Sequence, residues 1–350
     1  MDRTAVIVVS ICIILFGLWF VEQQKYAEQL ARQSQPQPRR LQLSTNTIVP
    51  APVQTTIPVQ IFATNTPEKL LILTNVNARY IFTSRGGGIK TIELLKYPET
   101  ISPRWKKEMA TNAVATLNTG APVPVLTILG GASFVGDGNF TLTKIPDGVR
   151  AEKSFTNGLV LTKEFHVGSN YLVSASVSLK NNSDKSLALP AQEWVVGTAT
   201  PMGPYDNGAY EGAMWFDGKK TKDHPVSYFS TNTTVLGFFH RTPTTEYIAG
   251  TDNVVWVAAH NQFFALMAMP KKPAQQIIAR PVNLPPLIPG EPTPNAPRGV
   301  QIALGYPAMT LTTNQPVERQ IVFYIGPKEY RTLARIGEKF GNNADQVMQF

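Results

Sequence analysis

The sequence has little cysteine and little charge. It contains one cysteine, Cys12, so the chain can form neither an intramolecular disulfide nor a cysteine-based metal site. Charged residues make up 16% of the 350 residues, and the net charge of +8 is thinly spread. No basic stretch alternates several aromatic and basic residues as a base-stacking surface does: "RWKK" from Arg104 to Lys107 has one aromatic residue and "GKKTK" from Gly218 to Lys222 has none. We therefore predict no nucleic-acid partner.

The chain also lacks nucleotide and metal motifs. The glycines of "RGGGIKTIELL" fit neither G-x-x-x-x-G-K-[ST] nor G-x-G-x-x-G, and H-E-x-x-H does not occur. β-Branched residues follow the glycines in rough alternation, which indicates a strand. We therefore predict a hairpin in which Gly86 to Gly88 supply positive φ angles. Neither a cofactor nor a metal ion is expected.

One long apolar run is present, at the N-terminus. Ala5 to Val21 carries no charge, and a helix of this length reaches roughly 26 Å, the lower limit for spanning a bilayer. The following "WFVEQQKYAEQ" offers no small-x-small cleavage site. We predict an uncleaved transmembrane anchor at residues 1–21. Residues 22–60 are rich in Gln and Pro and predict a linker, because they cannot bury enough apolar surface to fold.

The body after residue 60 shows a period of two. In "YLVSASVSLK", from Tyr171 to Lys180, apolar residues alternate with serine and lysine. Many short strands separated by Gly, Pro and Asn predict an all-β antiparallel sandwich over residues 61–326. The other predicted strands are Lys69–Leu73, Tyr80–Ser84, Ile89–Leu95, Leu159–His166, Val235–Phe239, Val254–Ala258, Phe263–Ala268, Val300–Leu304 and Arg319–Ile325.

A C-terminal α-helix is predicted at residues 327–337. Pro327 suits its first position and Gly337 the position after its end, and an apolar stripe lies between them. Residues 338–350 predict the start of a further amphipathic helix, cut short at Phe350.

Two groups of side chains are candidates for a functional site. Aromatic residues in a Gly-rich stretch suit a sugar or peptide groove, or alternatively a small core beneath a long loop; they are Tyr205, Tyr210, Trp215 and Phe216. Histidines and carboxylates are candidates for acid–base catalysis, but no pair has a diagnostic spacing; they are His166, His224, His240, His260, Asp206, Glu211, Asp217 and Glu246. We predict no catalytic residue and no enzyme activity.

Several segments, taken in order, resemble one family. They are "TSRGGGI" with "KTIELLKYPE", "KEFHVGSNYLVSASVSLKNNSDKSL", "VWVAAHNQFFALMAMP" and "FYIGPKEYRTLARIG". Together with the preceding anchor they resemble the N-terminal part of YidC-type membrane protein insertases of Gram-negative bacteria. The resemblance implies a periplasmic β-supersandwich similar to sugar mutarotases. In that family five transmembrane helices follow and carry the insertase function, so we expect this chain to be the anchor and periplasmic part, without insertase site residues.

The resemblance also implies partners and a location. It implies nascent membrane proteins, the Sec translocon with its accessory subunits, and the lipid bilayer as partners, with the body in the periplasm and the anchor in the bacterial inner membrane. Two alternatives remain open from the sequence. One is a periplasmic carbohydrate-binding or mutarotase-like protein, and the other is a membrane-tethered envelope scaffold.

Overall fold

The computed structural model describes residues 66–100, 113–131, 134, 138–203, 206, 208–229, 244–286 and 298–348. Its strands are β1 (Leu70–Thr74), β2 (Ala78–Thr83), β3 (Gly88–Pro98), β4 (Val114–Leu117), β5 (Ile128–Leu129), β6 (Thr141–Ile145), β7 (Gly148–Ser154), β8 (Leu159–Val167), β9 (Leu172–Asn181), β10 (Leu187–Leu189), β11 (Gln192–Ala199), β12 (Gly212–Phe216), β13 (Thr221–Pro225), β14 (Tyr247–Ala249), β15 (Trp256–His260), β16 (Phe264–Pro270), β17 (Gln276–Asn283), β18 (Arg298–Tyr306), β19 (Met309–Leu311) and β20 (Val317–Pro327). Its helices are α1 (Tyr330–Phe340) and the 3-10 turns η1 (Gly208–Tyr210), η2 (Val226–Phe229) and η3 (Ala344–Met348).

These strands form antiparallel sheets. The largest has the order β13-β12-β15-β16-β20-β9-β8-β7-β6, and a five-stranded sheet has the order β14-β17-β18-β11-β5. Strands β1 to β4 form a meander in sequence order, and β10 pairs with β19. Strand neighbours are mostly neighbours in sequence, as short hairpin connections dictate.

One face of the nine-stranded sheet carries the core. The five-stranded sheet packs on it at the β12 to β16 end, and the meander packs at β8, where the rings of Phe82 and Phe165 lie 5.2 Å apart. Every residue of β11 and β15 is buried, because both strands are covered on both sides. The predicted all-β antiparallel sandwich with a C-terminal helix is confirmed. The predicted anchor Ala5–Val21 and strand Val235–Phe239 lie outside the described residues.

The glycine run forms the predicted hairpin between β2 and β3. Gly86 and Gly87 have φ angles of 69° and 57°, but Gly88 does not have the expected positive φ. A Cβ atom on Gly88 would lie 1.9 Å from the carbonyl oxygen of Val125. The third glycine is therefore required by close backbone approach, where Ile89 and Val125 exchange hydrogen bonds.

A fully buried lysine fixes this hairpin to β8. The Lys163 ammonium donates hydrogen bonds to the carbonyl oxygens of Gly86 at 2.7 Å and Leu126 at 2.6 Å, and it lies 4.7 Å from the Phe140 ring centre. Burial lowers the pKa of Lys163 to about 7. Because it bonds to two chain segments with left-handed residues, Lys163 stabilises conformations that are unfavourable in isolation.

Helix α1 begins and ends three residues later than predicted. Pro327 remains in β20, where it pairs with Phe264. Gly337 lies inside the helix. A glycine is needed there because a Cβ atom would come within 3.0 Å of the Ala344 backbone nitrogen in η3. The helix ends at Gly341, whose φ of 62° is left-handed, and Asn342 N–H bonds back to the Gly337 carbonyl.

Replacing Trp256 with phenylalanine is expected to loosen this C-terminal segment. The buried Trp256 indole N–H donates to the Asn342 carbonyl at 2.9 Å, so its loss leaves a buried acceptor and costs about 1–2 kcal/mol. Hydrogen exchange should accelerate around residues 337–348 before the sandwich opens. Trp194→Phe is the matched control, because its indole bonds only to the Gln192 side chain. Equal exchange in both variants would contradict the assignment.

Candidate functional site

The candidate polar residues gather at strand β13. Among the described strands β13 pairs with β12 alone, so it is an edge of the nine-stranded sheet. Alternate side chains of a strand point to opposite faces, and β13 therefore contributes to two clusters. The inner cluster faces the five-stranded sheet and consists of Glu211, Trp215, His224, Tyr228 and Tyr247. The outer cluster lies on the helix-covered face and consists of Asp223, His260 and Lys328.

Aromatic rings enclose His224 in the inner cluster. The imidazole centre lies 3.7 Å from that of Tyr247 and 4.8 Å from that of Tyr228. The Trp215 indole donates to the Tyr247 hydroxyl at 3.1 Å. Burial lowers the pKa of His224, so its neutral form is favoured.

Glu211 is a fully buried carboxyl group beside η1. Neither of its carboxyl oxygens has a hydrogen-bond partner in the described part of the chain. Its backbone carbonyl accepts from Val226 N–H at 2.7 Å, which places it on the same face as His224. Burial, reinforced by the charge of Asp206, raises the pKa of Glu211 to about 8. The group is therefore protonated at neutral pH.

The outer cluster is a chain of hydrogen bonds. Lys328 Nζ lies 3.0 Å from His260 Nδ1, and His260 Nε2 lies 2.9 Å from an Asp223 oxygen. An ammonium can only donate, so Nδ1 accepts from Lys328 and Nε2–H donates to Asp223. Burial lowers the pKa of Lys328 to about 8, opposed by Asp223. The chain ties β13 and β15 to the segment that leads into α1.

The comparisons with known proteins identify the family. The family model described as "YidC periplasmic domain" matches residues 74–346, from the end of β1 into η3.

This chain belongs to the YidC periplasmic domain family. It is therefore a component of a YidC-type membrane protein insertase, and its sandwich is the periplasmic body of a membrane protein. No curated protein sequence matches the chain.

Solved structures similar to this YidC domain are sugar-epimerase relatives. A galactose mutarotase related enzyme from Lactobacillus acidophilus is 10% identical, with 73% of this chain and 97% of that chain covered and a TM-score of 0.46. A galactose mutarotase-like protein from Lactobacillus casei is also 10% identical, with 73% and 100% covered and a TM-score of 0.45.

Grouped metal ligands and membrane-spanning helices are both absent from the described part of the YidC domain. Within the residues described above, no three His, Cys, Asp or Glu side chains are grouped to hold a metal ion. No helix in that part of the chain is long and apolar enough to cross a bilayer.

The predicted groove aromatics are placed differently from one another. Trp215 and Phe216 are buried in β12, with 1% and 3% of their surface exposed, and Phe216 stacks on Trp256. Tyr210 is 53% exposed on η1, and Tyr205 lies outside the described residues. The two β12 aromatics point to opposite faces of the sheet, Trp215 towards Tyr247 and Phe216 towards Trp256, so the four aromatics do not form one cluster.

The histidine and carboxylate candidates are divided among several places. Of these, Glu211 and His224 share the inner cluster with Asp206 nearby, and His260 belongs to the outer cluster. Asp217 accepts backbone N–H bonds from the β12–β13 turn, while Glu246 binds Arg280. His166 is exposed at the end of β8, and His240 is not among the described residues.

Sequence reasoning missed Asp223, Lys328, Tyr247 and Tyr228 as members of the two clusters. Tyr247 and Lys328 lie far along the chain from their partners and are brought to them by the arrangement of the sheets, whereas Tyr228 follows His224 by one turn of η2. The available signal was weak: Lys328 follows a predicted strand end, and a lysine there is ordinarily solvent-exposed.

Proposed function

We propose that this chain is the membrane-anchored, non-enzymatic docking part of its insertase. Residues 1–21 would hold it in the bacterial inner membrane, and residues 22–60 would tether the periplasmic sandwich. The family match over residues 74–346 is the observation that carries the proposal, because it spans nearly the whole sandwich and α1. The partners would be nascent membrane proteins and the Sec translocon with its accessory subunits.

A docking and spacing role is supported by how firmly the C-terminal segment is fixed. The Trp256 indole bonds to Asn342, the Thr221 hydroxyl donates to Gln346 at 2.5 Å, and the outer cluster holds Lys328. These bonds attach both ends of the α1–η3 segment to the sandwich. A chain leaving such a domain would have a defined direction, as a spacer requires.

The non-enzymatic part of the proposal rests on the inner cluster. Glu211 and His224 are the carboxyl and imidazole groups that share a strand-pair face, yet Glu211 is fully buried. A sugar substrate would have to reach both groups for acid–base exchange at its anomeric carbon. Titration of the full chain with aldohexoses should give no saturable binding. Saturable binding that is lost in His224→Ala would overturn this part.

Site-specific photo-crosslinking in native membranes tests the docking role. A photoreactive amino acid at the exposed Tyr210 or Phe263 is expected to form adducts with Sec components and nascent membrane proteins. The same group at the exposed Lys144 on β6, the opposite edge of the nine-stranded sheet, is the control. Adducts with other envelope assemblies alone would favour the scaffold alternative. Release of the full chain by alkaline carbonate would contradict the anchor.

A further inference from the structure

Strand β1 is an exposed apolar edge of the four-stranded meander. Leu70 and Ile72 are 53% and 54% exposed, and Val76 in the following turn is 80% exposed. These residues account for three of the eight large hydrophobic side chains exposed in the described part of the chain. Apolar exposure is thus concentrated along one strand, which is uncommon unless the surface binds something.

The hydrogen-bonding groups of β1 that have no partner among the described residues can be assigned from its register. Lys69 and Asn75 bond to β2 through Ser84 and Ala78, and the register between them is continuous. In an antiparallel pair alternate residues bond to the partner, so Leu71 and Leu73 also face β2. The N–H and C=O groups of Leu70, Ile72 and Thr74 therefore point away from the sheet. We call these outward groups, with the exposed Leu70 and Ile72 side chains, the β1 edge.

The other edge strands that the structure describes are protected. β13 contains Lys222, Asp223 and Pro225, and β6 carries Lys144. β5 has two residues, β10, β14 and β19 have three each, and β4 is short and joined through a register shift. Charge, proline, short length and irregularity are the usual means of blocking strand addition. β1 has none of them, because "LLILT" is uncharged and pairs without a bulge.

The charges near the β1 edge are mostly paired with each other, and the exposed Lys69, which precedes Leu70, lies on the opposite face of the strand from the Leu70 and Ile72 side chains. Lys90 binds Glu68 at 2.8 Å, and Arg79 binds Glu93 at 2.8 Å. A charged peptide would therefore gain little there, whereas an uncharged apolar strand would match both the free backbone groups and the apolar side chains. We propose that the β1 edge binds an extended, uncharged hydrophobic segment of a client polypeptide as an added strand. This inference rests on the proposed function, since an insertase component meets unfolded hydrophobic chains.

Peptide binding to the full-length chain in detergent tests the inference. The probe is a short fluorescein-labelled peptide of alternating valine and threonine, followed by fluorescence anisotropy. Saturable binding is expected. Ile72→Pro should weaken it about tenfold or more, because proline removes an outward donor without removing a bond to β2. Ile72→Lys should do the same by placing a charge on the edge.

Two controls distinguish strand addition from non-specific hydrophobic binding. Thr91→Lys puts the same charge on the same face of central strand β3, and it should leave binding unchanged. A probe N-methylated at alternate amides cannot form the ladder and should not bind. Equal binding of the methylated probe, or full binding by a folded Ile72→Pro variant, would overturn the inference, as would no binding by the parent chain.

Self-association is the remaining outcome and is measured by sedimentation velocity. If the chain dimerises and Ile72→Pro abolishes the dimer, the occupant is a second copy and the client proposal is wrong. Failure of peptide binding does not affect crosslinks from Tyr210 or Phe263, which lie on other strands and turns. The two proposals can therefore fail separately.

Discussion

Replacing Arg280 with methionine is expected to destabilise the sandwich by about 3–5 kcal/mol, the usual cost of breaking a buried ion pair. Arg280 on β17 is 6% exposed, and its guanidinium binds both carboxylate oxygens of Glu193 on β11, across β18. It also binds Glu246, which precedes β14. Methionine preserves much of the packing but removes the guanidinium charge from beside the buried Glu193 carboxylate.

The matched control is the double variant Arg280→Met with Glu193→Leu. Replacing both partners by apolar residues removes the buried carboxylate as well, so most of the lost stability should return. Urea unfolding of the full chain in detergent gives the free energies of unfolding. A single variant within about 1 kcal/mol of the parent would contradict the prediction, as would a double variant no better than the single one.

Strand type and order of appearance could largely be predicted from the sequence. "YLVSASVSLK" alternates strictly because β9 has one face in the core and one in solvent, and the structure places β9 at Leu172–Asn181. The polar interruption in "VVWVAAHNQFFALMAMP" correctly indicated two strands, β15 and β16, joined at Asn261. Local periodicity was sufficient in both cases, because the pattern of apolar and polar residues in a strand follows the burial of its two faces.

Boundaries and long-range contacts could not be predicted, because their causes lie elsewhere in the chain. Gly337 has the residue type of a helix end, but it serves the close contact with Ala344. Lys163 has the residue type of a surface position within an alternating strand, but it is buried beneath the glycine hairpin. The ion pair between Arg280 and Glu193 depends on a sheet order that no local pattern encodes.

In the candidate site, too, residue types could be predicted from the sequence but contacts between distant segments could not. Its histidines were recognised as candidates from residue type alone, whereas the pairing of His260 with Asp223 and Lys328 depends on two strands and on the segment that follows a third. The burial of Trp215 likewise depends on a distant strand, because β14 supplies Tyr247 from another sheet.

Glutamine in place of Glu211 is expected to change the pH dependence of stability. The folded pKa of Glu211 is about 8, against an ordinary value of 4.5. Between those values the folded chain holds a proton that the unfolded chain releases. The stabilising contribution of this carboxyl is therefore complete below about pH 4.5 and is lost as the pH rises towards 8.

The stability that Glu211 contributes to the parent chain falls as the pH rises, and the glutamine variant lacks this loss. Glutamine does not titrate, so the free energy of unfolding of Glu211→Gln, relative to the parent, should rise from pH 5 to pH 8. The upper limit is about 4 kcal/mol, since each pH unit corresponds to about 1.4 kcal/mol. Any constant difference in packing between glutamine and glutamate shifts the whole curve but leaves its slope unchanged. Urea unfolding at several pH values measures that slope.

Asp206→Asn provides the control, because the Asp206 charge is the second cause of the raised pKa. Removing this charge should lower the folded pKa of Glu211, while burial continues to hold that pKa above the ordinary value. The pH range over which the stability changes should therefore become narrower. The free energy of unfolding of the double variant Glu211→Gln with Asp206→Asn, minus that of Asp206→Asn alone, should therefore stop rising at a lower pH. A flat difference between Glu211→Gln and the parent across pH 5–8 would mean that the Glu211 carboxyl is ionised in the folded chain. Either a cation would then have to pair with the Glu211 carboxylate, or water would have to solvate it. The inner cluster would in that case not be the closed apolar environment that its burial implies.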